Sequence, residues 1–136
     1  MKILGIGVDI INNKRIKVLR KKKIFIKRTF SENEIKHSKT IKNKDNYFAK
    51  RFASKEALVK AFGTGFRNNL NLKDIEILND INGKPYFSDT KIIRATIFKI
   101  FKVRKYNLFL SISDEKDYSI AFTILQKLWC LIKNFL

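Results

Sequence analysis

Two carboxylates and one lysine in this 136-residue chain stand where they could do chemistry: Asp9, Glu56 and Lys60. Asp9 lies near the end of an alternating run, residues 3–10. Leu4, Ile6, Val8 and Ile10 share one face of it, and Gly5, Gly7 and Asp9 the other. Glycine removes side-chain bulk, so the Asp9 face has room for a ligand or for another backbone. Glu56 falls at the edge of the apolar stripe of a helix predicted over 46–64, beside Ala49, Ala53 and Lys60. A carboxylate there is partly desolvated, which is costly unless it is paired or bound to a metal. Spacing alone also permits an ordinary i,i+4 bridge from Glu56 to Lys60, worth about 0.3 kcal/mol, and a strand-end cap for Asp9. Taken together, the two carboxylates would make an oxygen site of the kind Mg2+ favours, completed by phosphate oxygens and water.

Other chemistries find less support. Arg51, Lys55 and Lys60 line the same helix, and Gly63 and Gly65 follow it, so lysine and glycine together could wrap a phosphate. The P-loop pattern is absent, however, and the first strand lacks the third glycine of a dinucleotide fingerprint. Ser111 and Ser113 have no triad partner, because His37 is the only histidine and sits in a polar helix. Cys130, in an apolar tail, reads as a packed small hydrophobe. No cluster of His and Cys suggests zinc.

The elements that must position these residues follow from local pattern. Phe48, Phe52, Val59 and Phe62 form one stripe of the helix over 46–64, which Gly63 and Gly65 end. Residues 11–29 read as one basic helix that breaks near Lys22. Ser31 and Glu34 make a capping box, and residues 43–46 read as a polar loop. A strand over 74–79, a turn over 80–83 and a return beginning at Tyr86 come next, with Pro85 at the head of the return. Ser88 or Asp89 is expected to cap a helix running to about Arg104, and 108–113 with 118–125 to form a closing hairpin. The tail sets Leu128, Trp129, Ile132 and Phe135 on one helical face. It is too short to span a bilayer and is expected to pack on its own domain. Strands and helices do not alternate strictly, which favours a single α+β domain over 1–126, an antiparallel sheet packed with helices, and an amphipathic extension over 127–136.

Composition sets outer limits. The first ten residues resemble a short signal peptide only superficially, since the apolar stretch is brief, holds two glycines and ends in Asp9. A single cysteine precludes an internal disulfide and fits a reducing cytoplasm. The net charge of +18 has two readings, a polyanion-binding surface or AT-rich codon usage that also enriches Ile, Asn and Phe. Lys outnumbers Arg, which favours the second, so charge alone assigns no nucleic-acid binding.

Four blocks then form an ordered set: G-I-G-V-D-I at 5–10, R-F-A-S-K-E-A-L-V-K-A-F-G-T-G at 51–65, D-I-E-I-L-N-D-I-N-G-K-P-Y at 74–86 and L-S-I-S-D-E-K-D-Y-S-I-A-F at 110–122. Their order and spacing resemble the short bacterial 4′-phosphopantetheinyl transferases, the holo-[acyl-carrier-protein] synthases, over roughly residues 3–126. The resemblance implies transfer of 4′-phosphopantetheine from coenzyme A to a serine of acyl carrier protein, in support of fatty acid biosynthesis. It implies Mg2+ on Asp9 and Glu56, and Lys60 on the coenzyme A phosphates beside Gly63. It further implies Arg51, Lys84 and Pro85 around the nucleotide end, and a homotrimer with sites shared between two chains. The basic first helix, with Arg15, Arg20 and Lys21, corresponds to the surface that docks the acidic carrier protein. Either Glu56 or a water at the metal would accept the serine proton. Many members carry histidine where this chain has Phe109, and some where it has Asp114, so a mechanism using those histidines cannot run here. The rival reading, a small basic nucleic-acid-binding module, leaves the pairing of Asp9 with Glu56 unexplained and shows no RNA-binding signature. Neither nucleic acid nor membrane is expected as a partner.

Overall fold

The computed structural model describes residues 2–65 and 70–129. Strand β1 (Lys2–Asn12) lays Gly5 and Gly7 against helix α4 (Lys44–Phe62). A Cβ on Gly5 would stand 2.0 Å from the carbonyl oxygen of Ala61, and one on Gly7 1.7 Å from that of Ala57. The space left by the glycines is thus filled by the helix backbone, a close approach that other residues forbid. On the helix side the contact is equally lean, with Ala53, Ala57 and Ala61 buried.

Because β1 alternates with period two, burying its glycine face turns the apolar row outward. Ile6, Val8 and Ile10 are each more than half exposed, at 57%, 52% and 59%. Leu4 departs from that row: the pairing is irregular between Ile3 and Gly5, and Leu4 packs partly against the core. β1 joins the hairpin of β4 (Tyr106–Asp114) and β5 (Tyr118–Lys127) in an antiparallel sheet ordered β1-β5-β4. A second, two-stranded sheet pairs β2 (Ile77–Asn79) with β3 (Pro85–Phe87). Helices with antiparallel sheets make the α+β arrangement that the pattern predicts.

The basic segment is two helices, α1 (Asn13–Leu19) and α2 (Lys23–Thr29), separated where the sequence suggests a break. Helix α3 (Glu32–Ser38) opens on the predicted capping box, with both reciprocal bonds formed. The expected loop at 43–46 is instead the start of α4: Asn43 accepts from the Asn46 N–H at 3.2 Å and caps the helix. Helix α5 (Lys91–Phe101) is capped by Thr90 and not by Ser88 or Asp89. It stops early because Lys102 turns left-handed, at φ 58°.

One polar cluster lies inside the core. Glu34 is buried, and Lys55 donates to its Oε1 at 2.6 Å while also donating to the carbonyls of Leu72 and Ile75. Arg51 stacks 3.8 Å over the Tyr47 ring and donates from Nη2 to Asn79 Oδ1 at 2.7 Å. Burial depresses the pKa of both cations, and Glu34 opposes the shift. Removing one partner of such a buried pair costs about 3–5 kcal/mol. At the other end of the chain, the Leu128 N–H bonds the Lys105 carbonyl, yet Trp129 is 64% exposed. The expected packing of the tail on the domain therefore fails at its indole. Cys130, Ile132 and Phe135 lie outside the described residues. No helix among the described residues is long and apolar enough to cross a membrane.

Candidate active site

The glycine contact brings the end of β1 to the middle of α4, and with it the first two residues singled out from sequence. Asp9 accepts from Lys60 Nζ at 3.0 Å, and the same ammonium donates to the Val8 carbonyl at 3.0 Å. Glu56 is half-buried. Desolvation raises its pKa first and the Asp9 charge raises it further, while Lys60 and Arg15 oppose both. Among the described residues Glu56 makes no hydrogen bond or ion pair. The i,i+4 bridge to Lys60 that spacing allows is thus not formed, because Lys60 reaches across to β1 instead. What remains is a partly desolvated, unpaired carboxylate facing a second carboxylate, with a half-exposed lysine beside them.

Such a set can gather positive charge and bring it to an anionic substrate. Among the described residues no group of three or more His, Cys, Asp and Glu gathers as a metal cage. Two carboxylates that repel each other nonetheless suit a divalent cation that takes its remaining ligands from substrate and water.

The other predicted residues divide. Gly63 holds the left-handed position, φ 75°, that ends α4, and its N–H satisfies the carbonyls of Val59 and Lys60. Arg51 is 4% exposed, so it does not project into solvent as a phosphate ligand on an open helix would. Its guanidinium borders a cleft of about 390 Å³ with Tyr47, Asn79 and Gly83. Asn79 donates to the Gly83 carbonyl at 3.0 Å, and Asp80 accepts from the N–H groups of Asn82 and Lys84 at 2.9 Å. Arg51 therefore braces the turn that presents exposed Lys84 and half-buried Pro85. Asp9, Glu56 and Lys60 do not border this cleft.

Arg15 is exposed and close enough to act on Glu56, and Lys21 is exposed on the turn after α1. Arg20 is different: it is ion-paired with Asp45 and only partly exposed, so its charge is already compensated. Sequence reasoning missed this pair, which joins α1 to α4 across 25 residues. It also missed Glu34 as the anchor of Arg51 and Lys55, although the capping box had marked that residue. Phe109 lies on the outward sheet face, and Asp114 accepts from Asn46 Nδ2 at 2.7 Å.

Comparison with known proteins identifies the family of the chain. The family model of the 4′-phosphopantetheinyl transferase superfamily matches residues 5–123. The holo-[acyl-carrier-protein] synthase of Pelagibacter ubique is 58% identical over 127 residues, covering 93% of this chain and 99% of its own. The crystal structure of the Neisseria meningitidis holo-[acyl-carrier-protein] synthase superposes with a TM-score of 0.82 at 36% identity, over 93% of this chain and 100% of that one. The Bacillus anthracis holo-(acyl-carrier-protein) synthase, solved in complex with CoA (3′,5′-ADP), gives 0.76 at 34% identity, over 92% and 97%. The chain is an enzyme and belongs to the 4′-phosphopantetheinyl transferase superfamily, among its holo-[acyl-carrier-protein] synthases.

Proposed function

We propose that this enzyme transfers 4′-phosphopantetheine from coenzyme A to a serine of an acyl carrier protein with Mg2+ held by Asp9 and Glu56, in support of fatty acid biosynthesis. The observation that carries the reading is the meeting of Asp9, Glu56 and Lys60 on a glycine-cleared contact in a chain of this family. Bound there, Mg2+ would supply positive charge against the transferring phosphoryl group. Lys60, whose side chain is 55% exposed, is free to turn its ammonium from Asp9 to a phosphate oxygen. The carrier serine oxygen bonds to phosphorus, the bond to the bridging oxygen breaks, and 3′,5′-adenosine bisphosphate leaves. Glu56, or a water beside it, receives the serine proton.

The cleft at Arg51, Asn79 and Gly83 suits the nucleotide end of coenzyme A, with Lys84 and Pro85 on its rim. Since Asp9 and Glu56 do not line this cleft, we read the sites as completed by a second subunit, and a homotrimer is the assembly we assign. The outward sheet face supports this. Val8 pairs with Phe122 and Ile10 with Ile120, so exposed apolar side chains stand side by side across β1 and β5. A face of that kind calls for a partner. The test is mass spectrometry of an apo carrier protein incubated with this enzyme, coenzyme A and Mg2+. The expected result is a mass gain of one phosphopantetheine group that disappears with a chelator. Transfer at full rate in the chelator would overturn the metal assignment, and no gain with any carrier would overturn the reaction.

A further inference from the structure

A second basic surface lies on α5 and the start of β4, apart from the residues assigned so far. Residues 90–113 contain no Asp or Glu, and Lys91, Arg94, Lys99, Lys102, Arg104 and Lys105 are all exposed. Asp89 compensates one of them, through Arg94 at 3.1 Å. Lys91, Arg94, Ala95, Phe98 and Arg104 enclose a cleft of about 450 Å³ without a carboxylate. A neighbouring cleft of about 390 Å³ shares Arg94 and Arg104, adds Lys105 and Leu128, and has one carboxylate, Asp89, in its wall. Trp129 follows Leu128 in the chain, and its exposed indole has the Lys127 ammonium 5.8 Å from its centre.

We infer that this corner, the basic clefts of α5 with Leu128 in the wall of one and exposed Trp129 next to it in the chain, docks onto an anionic lipid surface. Charge complementarity selects an anionic partner. The apolar pair Leu128 and Trp129 then selects a lipid one, since an exposed indole beside lysine is the pairing that settles at a membrane interface. The sequence continues through Leu131, Ile132, Phe135 and Leu136, so apolar residues persist beyond Trp129. RNA fits less well. Phe98 is half-buried and covered by Arg104 at 4.0 Å, so it offers bases no open stacking platform. This docking revises the expectation of no membrane contact and does not depend on the proposed reaction.

Trp129 is the only tryptophan, so its fluorescence reports the contact directly. The full chain is mixed with vesicles of phosphatidylglycerol in phosphatidylcholine, with vesicles of phosphatidylcholine alone, or with a short single-stranded RNA. The expected result is a shift of emission to shorter wavelength and co-sedimentation with the anionic vesicles only, both reversed by salt. Lys91→Gln with Arg104→Gln should weaken partitioning roughly thirtyfold, from about fivefold per basic residue at an anionic surface. That variant should keep the wild-type transfer rate, which shows it folded. Absence of binding, equal binding to neutral vesicles, or a response to RNA alone would overturn the inference. Short-wavelength emission before lipid is added would do so too, because the indole would already be covered. An equal loss from Arg15→Gln with Lys21→Gln would show that any basic face suffices and would overturn the corner as the docking site.

Discussion

Gly7→Ala isolates the contact on which the candidate active site stands. In open space a strand glycine replaced by alanine gains about 0.5–1 kcal/mol, because alanine loses less backbone freedom on folding. Here the new Cβ would lie 1.7 Å from the Ala57 carbonyl oxygen, and ordinary contact begins at 3.4 Å. The obstacle is backbone on both sides, so no rotamer change relieves it. Strand and helix must part by about as much again, and overpacking of this severity lies at or beyond the usual 1–3 kcal/mol. We expect a loss of about 3 kcal/mol, lowering Tm by roughly 10 °C for a domain of this size. Asp9 rides on the displaced strand and Glu56 on the helix, so their spacing changes by more than an ångström. Misplacement of that order costs about a hundredfold in rate. Urea unfolding gives the first quantity and mass-spectrometric transfer kinetics the second. A variant as stable as wild type, with a rate within about twofold, would refute the argument from close approach.

Asp9→Ala and Glu56→Ala should each abolish transfer and leave a folded protein; near-normal activity in Glu56→Gln would move the metal elsewhere. The enzyme should sediment as a trimer, and Phe122→Lys on the exposed sheet face should yield an inactive monomer; a monomer fully active at nanomolar concentration would defeat the shared site. Arg15→Glu with Lys21→Glu should raise KM for carrier protein severalfold with little change for coenzyme A, since rim charges act mainly on association. The same reversal at Arg94 and Lys99 should spare KM, and equal losses at both places would remove the docking assignment. Arg20 is unsuited to this test because reversing it would break its pair with Asp45.

Local pattern revealed the elements better than it revealed direction. The glycines of β1 marked a cleared face, and the sequence allowed either a ligand or a backbone to fill it. The backbone of α4 does so at Gly5 and Gly7, while Asp9, beyond them, accepts from Lys60. That outcome sends Ile6, Val8 and Ile10 outward, which no window of β1 alone discloses. Arg51 and Lys55 read as part of a phosphate-wrapping set because their counter-charge, Glu34, is on another helix, and for Lys55 lies 21 residues away. The ends of α4 and α5 were misjudged where small polar caps decided them: Asn43 accepts from Asn46, and Thr90 accepts from Ile93. Such short-range bonds compete among several candidates in each loop, and tertiary packing selects one.

Lys55 and Glu56 are neighbours in sequence but stand about 100° apart around α4. The inward ammonium of Lys55 is gripped by Glu34 and by the carbonyls of Leu72 and Ile75, so α4 cannot roll about its long axis without stretching that grip. A carboxylate at about 6 Å from a helix axis sweeps roughly 1 Å for every 10° of roll. The buried lysine therefore acts as a key in a shaft, setting the azimuth at which the next residue meets Asp9.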